Sequence, residues 1–138
     1  MRRDFQLQEE DINFLETLAL PWETINDAGM QWVVIHNYPV PTGYNLTQTK
    51  VAIKLETGYP RTQLDMAYFY PGLQRLDGKP INALSMQLIN GESFQRWSRH
   101  RTPQNPWREG VDDLSTHMSL VSFWFDQEFT KQPNGIAA

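Results

Sequence analysis

The sequence predicts an α+β fold, an antiparallel β-meander packed with an N-terminal and a C-terminal helix. Three observations carry that expectation. Apolar residues recur at helical spacing near each end of the chain, between Glu9 and Leu20 and between Asp113 and Lys131. Between them lie short runs rich in β-branched and aromatic residues, the composition of half-buried strands. The runs are joined by tight proline- and glycine-containing turns, which suit antiparallel neighbours.

Glu9–Leu20 reads as the first helix. Ile12, Leu15, Leu18 and Ala19 fall near one face, Glu9, Glu10 and Asp11 favour the helix dipole, and Pro21 ends the run. Trp22 and Ile25 read as anchors ahead of an Asp27-Ala28-Gly29 turn. Gln31–His36 is strand-like, with His36 at its exit as a hydrogen-bonded structural residue, and Asn37–Tyr44 follows as a loop. Lys50–Leu55 is the next strand, with Val51, Ile53 and Leu55 on one side. Beyond a Gly58-Tyr59-Pro60 turn, Leu64–Tyr70 should be a third strand, placing Leu64, Met66, Tyr68 and Tyr70 on one face and Asp65, Ala67 and Phe69 on the other. After the turn at Leu76–Pro80, periodicity does not decide whether Ile81–Ile89 is a strand or an extended segment.

The most distinctive stretch is Glu92–Gly110, ESFQRWSRHRTPQNPWREG. Pro103 and Pro106 exclude a helix or central strand near them, so the stretch is expected to be a loop or irregular rim. It gathers Arg96, Arg99, His100, Arg101 and Arg108 around Trp97 and Trp107. Two readings stand. The tryptophans plug the core, or they and the arginines line a groove beside Ile81–Ser85. Arg99 would then grip the carboxylate or carbonyl of a partner's tail; in the first reading it braces the loop against Asp65, Asp112 or Asp113. Asp112 or Asp113 caps the last helix, Asp113–Lys131, whose buried stripe holds Leu114, His117, Met118, Val121, Trp124 and Phe125. His117 on that stripe is a core histidine, or an imidazole oriented by the neighbouring aspartates. The tail after Lys131 should fray.

Composition narrows the class. The chain has 138 residues, 40% of them hydrophobic, enough for one domain over 1–138 with its core at about 9–131. A net charge of −4 argues against nucleic acid as the partner, despite the local pattern of Phe94, Arg96, Trp97, Arg99 and Arg101. The arginines near the start precede no apolar run, and nothing approaches the roughly 20 apolar residues of a membrane span, so a cytoplasmic, membrane-free protein is expected. There is no cysteine, hence no thiolate chemistry in these residues. His36, His100 and His117 have no metal-ligand spacing, and neither a metal nor another cofactor is expected.

Several motifs then carry a family resemblance over roughly residues 10–128. A strand runs into Tyr59-Pro60, the next ends in Tyr70-Pro71, and Gly78 leads to Ile81-Asn82-Ala83-Leu84. Trp107-Arg108-Glu109-Gly110 then opens the last helix. This order resembles the ubiquitin-conjugating-enzyme superfamily, and the phrases PVPTGYN, YPRTQLDM, WSRHR and WREGVDDLSTH resemble its bacterial branch, prokaryotic family E. The resemblance implies a component of a bacterial ubiquitin-like pathway that carries or positions a ubiquitin-like modifier received from an activating-type adenylyltransferase, with a JAB-type peptidase as a further partner. The chain departs from that pattern where a conjugating enzyme does its chemistry. Tyr70-Pro71-Gly72 replaces the usual His-Pro-Asn, and Ala83 or Ser85 stands where the resemblance expects a cysteine. A thioester needs a thiolate, so the alternatives are an oxyester on Ser85, Ser93 or Ser98 with His100 or His117 as base, or a non-catalytic module that docks the modifier or its activating enzyme. The candidate site thus comprises Ala83, Ser85 and His100 for chemistry, with Asn82, Trp97, Arg99, Arg101, Trp107, Asp113 and His117 for binding.

Overall fold

The computed structural model describes residues 1–131; the tail expected to fray lies outside the described residues. The first helix, α1 (Glu9–Leu18), stops two residues before the expected end. Ala19 turns left-handed at φ 55° and donates its N–H to the Glu16 carbonyl, closing the helix ahead of Pro21.

Trp22–Asp27, expected only to anchor a turn, is a strand (β1). It pairs antiparallel with β2 (Met30–Pro39), Asp27 opposite Met30, across a two-residue turn with Ala28 at φ 51° and Gly29 at φ 79°. Positive φ at both positions matches the twist of the flanking strands. β2 outruns the expected Gln31–His36, because a bulge between Ile35 and Tyr38, with Asn37 at φ 57°, lets pairing resume on β3 (Gln48–Leu55) through Pro39. β4 is shorter than expected, Ala67–Tyr70. Met66 sits at φ 59°, which breaks the extended backbone and the predicted alternation. Leu64 consequently joins Ala67 and Phe69 in the main core, while Tyr68 faces the other way.

The ambiguous stretch contains β5 (Leu84–Ile89), and Glu92–Trp97, expected within the loop, is β6. Asn90 at φ 48° and Gly91 at φ 81° form the tight turn between them. The irregular segment therefore begins only at Ser98. α2 (Leu114–Lys131) closes the described chain. Asp113 caps it: its carboxylate accepts the Thr116 N–H at 3.2 Å and the Ser115 hydroxyl at 2.6 Å.

The six strands form one antiparallel sheet in the order β1-β2-β3-β4-β6-β5. Both helices pack on one face, over Val33, Ile35, Val51, Ile53, Phe69 and Trp97. Phe125 of α2 lies 5.7 Å from the Trp97 ring at an interplanar angle of 80°, the edge-on arrangement aromatic quadrupoles favour. The other face curls round a second apolar cluster of Ile25, Trp32, Val34, Ala52, Tyr68, Ile89 and Phe94. The curl is held by Lys50 to Glu92 at 2.6 Å and by the Asn90 N–H to the Asp27 carboxylate at 2.9 Å. Residues at the start of the chain run along β1: Arg3 bridges Thr24, and the Asp4 N–H donates to the Thr24 carbonyl. Among the described residues no helix is long and apolar enough to cross a membrane.

Candidate functional site

β6 delivers Trp97 into the core and leaves Arg99 at the point where the irregular segment meets α2. Trp97 is fully buried, so it is a core plug and does not line a groove. Its indole N–H donates to the Gln95 side chain at 3.0 Å, which satisfies the one polar atom such burial would orphan. Arg99 is 9% exposed and braces rather than reaches. Its partner is none of the expected aspartates but Glu128, at 3.1 Å. The same guanidinium donates to the Asn82 carbonyl at 3.0 Å and the Ser98 carbonyl at 3.2 Å. The planar fork thus ties the Asn82 segment, the end of β6 and the last turns of α2 together.

Ala83 sits exposed in a left-handed conformation, φ 56°, and its carbonyl accepts the Ser98 N–H at 3.1 Å. Ser85 lies opposite Arg96 in the register, and its hydroxyl accepts the Arg96 Nε–H at 2.7 Å. The Arg96 pair Tyr68 belongs to the second cluster, so Ser85 occupies the sheet face away from the helices. His100 instead pairs with Asp65 at 2.8 Å, on the exposed side of the loop. His117 is fully buried; its Nε2–H donates to the Met66 carbonyl at 2.8 Å, and Nδ1 has no hydrogen-bond partner among the described residues. Burial pushes its pKa down to about 4, against the opposing pull of that hydrogen bond. The imidazole is therefore neutral at physiological pH. Neither histidine is a hydrogen-bond partner of Ser85.

Trp107 does not reach the Asn82–Ser85 segment either. Its indole N–H donates to the Pro60 carbonyl at 3.0 Å and its ring rests against Tyr59. Arg101 stacks on that ring, 5.0 Å from its centroid, and faces Asp112 at 3.5 Å. Asp112 in turn accepts the Arg108 backbone N–H at 2.7 Å. The Pro-rich loop is thereby held as a rigid wall along α2.

Between that wall and α2 runs an open groove of about 880 Å³. Arg99, His100, Arg101 and Arg108 lie along one side, and Leu120, Phe123 and Trp124 supply an apolar strip on the other. This is not the groove expected beside Ile81–Ser85: it follows α2, and its lining includes Arg99, His100 and Arg101 but neither Trp97 nor Trp107. Glu128, Phe123 and Gln127 on α2 had no sequence signal as site residues, because helical spacing shows which face is buried and not what the facing loop brings to it.

An antiparallel sheet backed on one face by an N-terminal and a C-terminal helix is consistent with a ubiquitin-conjugating-enzyme-like protein. The chain belongs to the family described as Prokaryotic E2 family E, whose model matches residues 7–128. Membership relates it to ubiquitin conjugation in general terms. Neither the curated proteins nor the solved structures gave a match.

Proposed function

We propose that this chain positions a ubiquitin-like modifier within a bacterial ubiquitin-like pathway without carrying it as a thioester. The observation behind this reading is a family match over residues 7–128 in a chain with no cysteine. A transfer by thiolate has no atom here to run through. Transfer through Ser85 is not favoured, since among the described residues the side chain hydrogen-bonded to its hydroxyl is the Arg96 guanidinium, a donor and not a base.

The groove suits a binding role. An extended C-terminal tail would lay its apolar side chains on Leu120 and Phe123 and bring its carboxylate to the exposed cations. Arg108 is the most available of them, its side chain 64% exposed. The activating adenylyltransferase would present the modifier in this scheme, and the groove would hold its tail in place. The test uses a modifier and adenylyltransferase from the same genome, followed by fluorescence anisotropy of the labelled modifier. Saturable binding that weakens about tenfold with Arg108→Glu, as charge reversal at a recognition site implies, supports the reading. Absence of binding, or binding indifferent to removal of the modifier's tail, defeats it.

A further inference from the structure

The two edges of the sheet are treated differently. The β1 edge is overlaid by the start of the chain, through Arg3 against Thr24 and the Asp4 N–H to the Thr24 carbonyl. Among the described residues the β5 edge carries no such cover from Leu84 to Leu88; only the turn beyond it is touched, where the Asn90 side chain accepts from the Arg2 guanidinium at 2.8 Å. Edge strands are ordinarily guarded by charge, proline or a bulge. From Asn82 to Gly91 the chain has no charged residue and no proline, and β5 pairs with β6 without a register shift.

The register shows which groups face outward. Ile89 and Glu92 flank the two-residue turn, so they form a pair that exchanges hydrogen bonds, as do Gln87 with Phe94 and Ser85 with Arg96. Leu84, Met86 and Leu88 then turn their N–H and C=O groups to the free edge. Their side chains are also the exposed ones, at 37%, 62% and 64%. Among the described residues the Leu88 carbonyl is met by the neighbouring Gln87 side chain, at 3.2 Å. Three residues in alternation thus offer both ladder groups and apolar surface.

We propose that β5 is a self-association edge, on which two copies of this chain pair β5 to β5 antiparallel about a twofold axis at Met86. The sequence Leu84-Ser85-Met86-Gln87-Leu88 is symmetric in polarity about its centre. In that register Met86 meets its own counterpart, Leu84 meets Leu88 of the second copy, and Ser85 meets Gln87. Every outward N–H and C=O from Leu84 to Leu88 finds a partner, and no like charges are brought together despite the net charge of −4. Five paired residues bury less than a standard interface, so the dimer is weak and concentration-dependent.

Sedimentation velocity from about 10 μM to about 1 mM, the range in which such an interface reports, tests it together with amide hydrogen exchange. The average mass should climb towards twice the monomer value, and the Leu84, Met86 and Leu88 amides should slow at the upper end. Met86→Lys, which sets two ammonium groups face to face at the axis, should remain monomeric with an unchanged melting temperature, and Met86→Leu should dimerise like the parent. A mass that stays monomeric throughout overturns the proposal. So does a Met86→Lys variant that dimerises as well as the parent, or protection of these amides that arises only when the modifier is added. The sedimentation outcomes are read without modifier present, so they stand apart from modifier binding in the α2 groove.

Discussion

The Asp11 carboxylate on α1 accepts the backbone N–H of Leu114, in the first turn of α2, at 3.2 Å. The two residues are 103 positions apart, and the bond joins the first helix to the start of the last. The other Asp11 oxygen accepts the Tyr59 hydroxyl at 2.6 Å and the Gln8 amide at 3.2 Å. One buried carboxylate therefore satisfies an orphan N–H of α2 and anchors the turn against which Trp107 packs.

Asp11→Ala should destabilise the fold by about 3 kcal/mol, since it leaves the Leu114 N–H and the Tyr59 hydroxyl buried without an acceptor. Asp11→Asn keeps an oxygen and should cost less at neutral pH. Burial raises the Asp11 pKa, outweighing the hydrogen bonds that lower it. A raised folded value means the stabilising contribution is complete below the ordinary aspartate value and is lost as pH rises through the folded one. Asp11→Asn should therefore narrow its deficit to the parent as pH rises across that window. Denaturant midpoints at several pH values would show the deficit widening with pH if the direction were wrong.

His117 works in the opposite sense. Its folded pKa of about 4 lies below the ordinary 6.5, so its contribution is present above 6.5 and is lost as pH falls towards 4. The whole loss is about 3 kcal/mol. Met66 would lose its side-chain partner in His117→Leu, so that variant should be weaker at pH 7 but flatter between pH 6.5 and 4. An equally steep profile in the variant would place the sensitivity elsewhere.

Arg99→Met should cost about 3–5 kcal/mol, because it breaks the buried ion pair with Glu128. The double variant Arg99→Met, Glu128→Met should recover part of that loss. Arg99→Lys keeps the charge but cannot reach Asn82, Ser98 and Glu128 at once, so its melting temperature should fall while modifier binding per folded molecule is retained. Lost binding at an unchanged melting temperature would return Arg99 to a recognition role.

With ATP, modifier and adenylyltransferase, no adduct sensitive to thiol reductants should appear on a gel. An adduct that resists reductant but yields to hydroxylamine would identify an oxyester and override the binding-only reading. Ser85→Ala would be the first variant to examine.

The helices and the central strands were legible because their patterns are local: the Asp113 cap, the stripe from Leu114 to Phe125, the alternation of Val51, Ile53 and Leu55. β1 was hidden by its position between Pro21 and a turn, with polar Glu23, Asn26 and Asp27 diluting Trp22 and Ile25. β6 was masked by Arg96 and Trp97, which read as the start of an arginine-rich loop, although Asn90-Gly91 is a strong hairpin signal. The breaks at Ala19, Asn37 and Met66 were illegible, since these residues take left-handed conformations that only their tertiary surroundings explain. In the site, the Arg99 partner lies 29 residues away on the last turns of a helix, with nothing local to pair them. Trp97 was legible as a core residue, and its arginine neighbours drew it wrongly towards the groove.

The segment laid over β1 by the start of the chain also decides how far association can go. A sheet with two open edges can add copies at both ends and grow into a fibre. Here one edge is already occupied, so pairing through β5 consumes the sheet edge left open among the described residues, and the second copy brings a sealed margin to the outside. Assembly stops at two. Deleting residues 1–5 would unseal the far margin, and a chain that now sediments as a pair would be free to polymerise.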